Sequence, residues 1–319
     1  MSHTRARAEN ARGSRIAVPA QLPRHAPVVV AVALLYILLW SSSFIATKVV
    51  LRHSPPLTLL TARFLVAACI MMVLARMRGA ARPKGEIAWR RLALFGLFNS
   101  ALPLAFNFEA LRHLSAGTGA IIAATNPLIV ALVAPRLLGE RLSPVRIVGL
   151  GLGFGGVIFV MAARLGVGID TPLGIVLSSL SVLSLVAATF LFKRMPPTEH
   201  PLIINAVQLA AAALAVAPLA LLFERPGPVR LDPSFVWAFL YLVLVISVAA
   251  SLLWFWLLAR GEASVASAYF FLTPIFGIGL AALLLGEPFS GRDGLGLGAV
   301  AAGIFLISRS AAVPQGRAE

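Results

Sequence analysis

Two stretches decide how this chain is read: AGTGAIIAATNPLIVALVAPRLLGERLS, Ala116–Ser143, and ASVASAYFFLTPIFGIGLAALLLGEPFS, Ala263–Ser290. Each is an apolar run with a proline near its middle, Asn126-Pro127 in the first and Thr273-Pro274 in the second. Each ends in Leu-Leu-Gly-Glu, at Gly139-Glu140 and Gly286-Glu287. The proline and the Gly-Glu pair keep the same spacing, so the chain carries one helix twice. Two apolar segments broken at matching places in two halves are the sequence mark of a membrane carrier whose substrate path runs between the halves.

Composition supports a bilayer as solvent. Hydrophobic residues make up 59% of the chain and charged residues 12%, with a mean hydropathy of +0.92, which is more apolar surface than one soluble core hides. A net charge of +15 would point a soluble protein toward nucleic acid. Here the basic residues sit in short segments between apolar runs, so no nucleic-acid partner is expected. The single cysteine, Cys69, lies inside an apolar run and is read as a small buried hydrophobe.

Ten runs are long enough to cross about 30 Å of hydrocarbon as helices. They lie near residues 27–51, 57–74, 92–111, 116–138, 145–163, 172–192, 201–223, 235–258, 263–285 and 294–308. Their length and continuity exclude the short alternating strands of a membrane barrel. The expected fold is therefore an all-α membrane protein of ten transmembrane helices, arranged as two inverted five-helix repeats. The expected domains are a basic, disordered tail at 1–26, a first repeat at 27–163, a second at 172–308 and a tail at 309–319. Five is odd, so the second copy enters the membrane from the opposite side. The match extends beyond the proline helices: Gly149, Gly151 and Gly156 correspond to Gly296, Gly298 and Gly303, and Lys48 with Pro56 corresponds to Lys193 with Pro201.

Most of the 27 Lys and Arg fall on one side if the N-terminus is inside, above all in the loop with Arg76, Arg78, Arg82, Lys84, Arg90 and Arg91. The positive-inside rule then places both termini in the cytoplasm. The tail with Arg5, Arg7, Arg12, Arg15 and Arg24 is read as a topology signal, because the following run is too long for a signal peptide and no small-residue cleavage site follows it.

The motifs resemble a known family. Ala110-Leu111, Ser115-Ala116-Gly117, Ala120-Ile121-Ile122, Pro127 and Leu138-Gly139-Glu140-Arg141-Leu142-Ser143 resemble the EamA-type branch of the drug/metabolite transporter superfamily. Trp40-Ser41-Ser42-Ser43-Phe44 with Lys48, and Pro56 with Ala62-Arg63-Phe64, are similar to it as well. The resemblance implies transport, often export, of amino acids, metabolites or drugs. One departure is Pro288-Phe289 where the first copy has Arg141-Leu142.

Candidate path residues follow from polar or kinked positions that lipid disfavours. Proline frees a backbone carbonyl inside a helix, which singles out Pro127 and Pro274 with their neighbours Asn126 and Thr273. Lys48 and Arg63 are charges within spans. Both lie toward the outer face, Arg63 about 9 Å below the start of its helix at 1.5 Å per residue, where they either snorkel to the interface or form a basic wall for an anion. Tyr36, Trp40, Phe44 and Lys48 form one i, i+4 row flanked by Ser43, which suits an amphipathic anion or ordinary helix contact. Asn99, Pro103 and Asn107 share a face of the third span. Asn205 with Gln208, and Ser247 with Ser251, read the same way.

Glu109 is the carboxylate that lies well inside a span and is a candidate for ion coupling. Arg112 and His113, three and four residues on, offer it a local ion pair instead. Gly149 with Gly153, and Gly294 with Gly298, have GxxxG spacing, which serves either contact within the chain or a homodimer face. The G-x-G-x-x-G at Gly151, Gly153 and Gly156, followed by Asp170, is a decoy, since it lies in an apolar helix and follows no strand. With the five histidines in tails and loops, no cofactor, no metal and no enzymatic activity are expected. The alternatives to a carrier are a passive channel and a non-transporting receptor or scaffold.

Overall fold

The computed structural model describes residues 27–110, 112–114, 116–162, 171–196, 199–224, 231–285 and 291–310. The tails, Ser115, Asp170, Gly286 and Glu287 lie outside the described residues, as do the side chains of Phe44 and Lys48. Regular structure among the described residues is entirely helical, and ten helices are long and apolar enough to cross a membrane. They are α1 (Pro27–Val50), α2 (Pro56–Met77), α3 (Glu86–Ala110), α4 (Ala116–Ala123 and Asn126–Leu138), α5 (Pro144–Met161), α6 (Pro172–Lys193), α7 (Pro201–Phe223), α8 (Pro233–Arg260), α9 (Ala263–Ala268, Tyr269–Leu272 and Thr273–Leu285) and α10 (Gly291–Ser310).

Local chemistry explains the starts. Six of these helices open on proline, whose fixed φ suits the first helical turn and whose missing N–H is not needed there. Ser143, Thr171 and Asp232 precede α5, α6 and α8, and each side chain accepts the amide three residues on, as N-caps do. α4 stops where Gly139 adopts φ 69°, a conformation that glycine reaches without strain. α3 begins six residues before its apolar run, at Glu86, which pairs with Arg90 at 2.6 Å across one turn while Ile87 and Trp89 stay exposed.

The helices pair in ways that repeat when the halves are exchanged. α2 lies against α7 and α5 against α10. α3 contacts α6 as α1 contacts α8, α4 contacts α6 as α9 contacts α1, and α4 meets α9. Because helices in lipid gain nothing from burying apolar surface against each other, small residues must let backbones approach. On α5 and α10 they do. A Cβ on Gly149 would lie 2.7 Å from the Gly303 carbonyl oxygen, one on Gly303 2.5 Å from that of Gly149, and one on Gly156 3.0 Å from that of Gly296. Gly153 leaves room for the Phe271 ring. The Gly149/Gly153 spacing is therefore used within the chain, whereas Gly294 and Gly298 face open space.

Gly303→Leu should lower the melting temperature of the purified protein by an amount matching about 1–3 kcal/mol of overpacking. Gly151→Leu, where nothing lies within 4 Å, should leave it unchanged. Equal melting of the two variants would show that the α5–α10 contact does not depend on glycine.

Candidate functional site

Four helices lose regular α geometry near mid-span, in matched pairs. α3 widens into a π-helical stretch at Leu97–Ala101, and α8 does so over Tyr241–Ala250. α4 breaks at Ala124 and Thr125 just before Pro127, and α9 passes through a 3-10 segment, Tyr269–Leu272, just before Pro274. Proline removes the donor for the carbonyl four residues back and crowds the preceding turn, which accounts for the breaks in α4 and α9. On α3 the cause includes Gly96: a Cβ there would fall 2.2 Å from the Gln208 carbonyl oxygen, so the α7 backbone occupies its place. Irregular backbone at membrane depth is tolerated where it is buried in protein or lines a polar cavity.

These segments surround such a cavity. Its wall takes Tyr36 and Trp40 from α1, Arg63 from α2, Asn99 and Ser100 from α3, Asn126 from α4, Thr189 from α6, Ser247, Ser251 and Trp254 from α8 and Phe270 from α9. α5 and α10 contribute nothing to the lining. The volume of about 60 Å³ holds roughly four waters.

Behind one side of the cavity a chain of polar groups crosses from half to half, with Asn205 and Gln208 off the lining. Arg63 Nε donates to Ser247 Oγ at 2.8 Å, and Asn205 Nδ2 donates to the Ser247 carbonyl at 2.9 Å. Gln208 Nε2 donates to Asn205 Oδ1 at 2.8 Å, while Gln208 Oε1 accepts from Asn99 Nδ2 at 3.1 Å and Ser100 Oγ at 3.0 Å. Asn205 and Gln208 are fully buried, so the chain satisfies groups that hydrocarbon would leave bare. Arg63 is buried as well. Among the described residues no carboxylate lies within ion-pairing distance of it, and Ser247 is its hydrogen-bond partner.

The other side is aromatic. Tyr36 stacks on Trp254 at 5.2 Å and on Trp40 at 6.2 Å, and Phe270 meets Tyr36, Trp40 and Trp254 edge-on at 5.9, 6.2 and 5.1 Å. A second cluster joins Phe95, Phe192 and Phe255 at 5.1–5.8 Å.

The two ends of the bundle differ. At the end bearing the α4–α5 and α8–α9 loops, Glu140 Oε1 accepts the Ala263 amide at 2.6 Å, and its Oε2 accepts the Ser264 amide at 3.2 Å and the Ser264 hydroxyl. Arg146, buried, lies 2.5 Å from Glu262 and 3.9 Å from Glu140. Lys193 donates to the Gly261 carbonyl. At the opposite end Glu224 caps α2, accepting the Leu57 and Thr58 amides at 2.7 Å each. Each half thus sends a carboxylate to the first turn of a helix in the other half, where the helix dipole favours it. Also at this end, the Phe235 amide at 2.8 Å, the Ser234 hydroxyl at 2.7 Å and His53 at 2.6 Å hold the Asp232 carboxyl below its ordinary value. Here residues 104–109 of α3, 118–122 of α4 and 276–280 of α9 include none that is fully buried, so the helix ends are half-buried. Asp293, which corresponds to Arg146 in the second half, is buried.

Against the sequence expectations, the structure brings Trp40, Arg63, Asn99 and Asn126 to the cavity. Arg63 is enclosed at mid-molecule and does not reach an interface, because α7 and α8 cover it. Asn107 is half-buried but off the lining, and the Pro103 carbonyl is taken by Ser181 at 2.9 Å. Ser43 folds back onto the Trp40 carbonyl at 2.6 Å. Pro127 is buried beside Asn126. The Thr273 carbonyl accepts from Ser41 at 3.2 Å, and the Thr273 hydroxyl is buried without a partner; Pro274, which follows it, is half-buried. Glu109 sits 3.2 Å from both Arg112 and His113, away from the cavity. The sequence reading did not single out Ser100, Thr189, Trp254 or Phe270. Trp254 was reachable, since it continues the Ser247, Ser251 row, and Phe270 is the residue whose carbonyl Pro274 deprives of a donor.

The model of the EamA-like transporter family matches residues 28–162 and again 172–309, one copy for each five-helix half. The chain belongs to the EamA-like transporter family and is a multi-pass membrane protein. An uncharacterized transporter of Archaeoglobus fulgidus is 29% identical over 245 residues, 76% of this chain and 84% of that protein. A protein of Salmonella typhimurium named a probable amino-acid metabolite efflux pump is 26% identical over 284 residues, 86% of this chain and 92% of its own length. A solved crystal structure with 21% identity superimposes with a TM-score of 0.76 over 90% of this chain and 98% of that one, which shows a shared fold.

Asn205→Leu should destabilise the protein by about 1–3 kcal/mol, the cost of leaving a buried amide and carbonyl unpaired; detergent melting curves read it. Because the Asp232 carboxyl is held below its ordinary value, its contribution to stability is complete above that value, near 3.9, and is lost as pH falls through the folded one. The gap in melting temperature between the unaltered protein and Asp232→Ala should be steady at neutral pH and close below about pH 4.

Proposed function

We propose that this chain is a secondary-type carrier in the cell membrane. In this reading it exports small metabolites of amino-acid type, anionic or amphipathic, by alternating access between its halves, with both termini in the cytoplasm. The observation that carries the reading is Arg63, a buried guanidinium without a carboxylate partner among the described residues, on a cavity between the halves. Such a group is expensive in hydrocarbon, and a passing carboxylate would relieve it. The four rings opposite suit the apolar part of the same solute. Similarity to a protein named an amino-acid metabolite efflux pump supports this solute class and the outward direction.

The unequal ends supply the mechanism. The Glu140, Arg146, Glu262 and Ser264 cluster and the Phe95, Phe192 and Phe255 rings seal the end assigned to the cytoplasm, while the half-buried ends of α3, α4 and α9 give a route outward. In the opposite state the seal parts and the outer ends close, and the kinks at Pro127 and Pro274 serve as hinges. A solute larger than a few waters enters only as this rearrangement widens the cavity.

Reconstituted into liposomes, the protein should move amino-acid-type solutes with saturable kinetics, and flux linear in concentration would instead identify a channel. Arg63→Gln should weaken the apparent affinity for carboxylate solutes roughly tenfold or more, the loss of one charge-assisted hydrogen bond. Unchanged transport would assign Arg63 to holding α2 against α8. In a Cys69→Ser background, Ile278→Cys should react with a membrane-impermeant maleimide added outside the cell and Val130→Cys should not; reaction only from the cytoplasmic side would reverse the assigned orientation.

A further inference from the structure

A second pocket lies far from the cavity, at the membrane boundary where the α2–α3 loop meets the α6–α7 loop. Its volume is about 520 Å³, within the range of sites that hold small ligands. Arg82, Lys84 and Arg91 supply three cations to its wall, and Glu199 supplies one carboxylate. Among the described residues none of these four forms an ion pair, since Glu86 is engaged by Arg90. The pocket therefore holds two positive charges in excess. Its remaining surface is apolar, made by Ile87, Leu92 and Met195 among others. Two features aim it at the bilayer. Ile87 is 68% and Met77 77% exposed, as lipid-facing side chains at a helix end are. Trp89, also exposed, stands at the level where indoles favour the headgroup region.

We infer that this pocket binds the headgroup of an anionic phospholipid, a phosphodiester whose alcohol carries hydroxyls. The phosphodiester oxygens accept from Arg82, Lys84 and Arg91, the headgroup hydroxyls donate to Glu199, and the glycerol end of the acyl chains lies on Ile87 and Met195. Basic pockets between membrane helices suit this chemistry. A free phosphate would match the cations but would gain nothing from the apolar floor, and it would be repelled by Glu199. A zwitterionic choline headgroup would lack the net charge that the pocket asks for.

The full chain, purified in detergent, can be titrated with dihexanoyl-phosphatidylglycerol, dihexanoyl-phosphatidylcholine and inorganic phosphate, with bound adducts read by native mass spectrometry. One tightly held phosphatidylglycerol is expected, with neither of the others retained. Arg82→Gln with Lys84→Gln and Arg91→Gln should weaken that adduct at least tenfold, and Arg91→Gln alone roughly fivefold. Arg76→Gln with Arg78→Gln, which removes nearby charge outside the pocket, should leave it unchanged. The inference is overturned if the triple variant keeps the adduct, if the Arg76 and Arg78 variant loses it equally, if phosphatidylcholine binds as well, or if inorganic phosphate saturates the site.

Discussion

Hydrocarbon offers no hydrogen bond to a bare N–H or C=O, and this protein is organised around that prohibition. A chain that crosses ten times as unbroken helices would obey it trivially. This one departs from α geometry in α3, α4, α8 and α9, and does so where the four helices meet. The breaks are sheltered by the polar chain from Arg63 through Ser247, Asn205 and Gln208 to Asn99 and Ser100, and by Ser41 on the Thr273 carbonyl. α5 and α10, clasped glycine to glycine, stand outside this region. The irregular backbone and the cavity coincide, and such backbone is tolerated in lipid where it is buried or lines a polar space.

The ends of the molecule carry the second layer of organisation. A carboxylate from each half holds the first turn of a helix in the other, through Glu140 on α9 and Glu224 on α2. Such contacts are directional and discrete, so they can be made or lost as a unit. Arg146 is enclosed between two carboxylates at one end, and the helix ends at the other are half-buried.

Much of this was legible in the sequence because it rests on residue types that lipid penalises. Pro127 and Pro274 announced both breaks, and the 147-residue offset announced the duplication and hence the opposed halves. Asn99, Asn126 and Arg63 stood out as polar groups within apolar runs. What was not legible depends on neighbours far along the chain. Counting residues from the start of α2 placed Arg63 near an interface, but only the approach of α7 and α8 encloses it. The π-helical turns have no residue signature of their own, so spacing alone did not show which of Asn99, Pro103 and Asn107 reaches the cavity. Trp254 and Phe270 were marked only by their spacing from Ser247 and Ser251 and from Pro274, and the fold makes them walls of the cavity.

Arg146 and Asp293 occupy matching places in the duplicated halves, both buried, yet carry opposite charges. The ancestral symmetry is therefore kept in backbone but broken in electrostatics. A molecule assembled from two first halves would bury a guanidinium at both membrane faces, and one assembled from two second halves a carboxylate at both. Each half thus carries its own buried charge near the start of its fifth helix, and the two charges are not interchangeable.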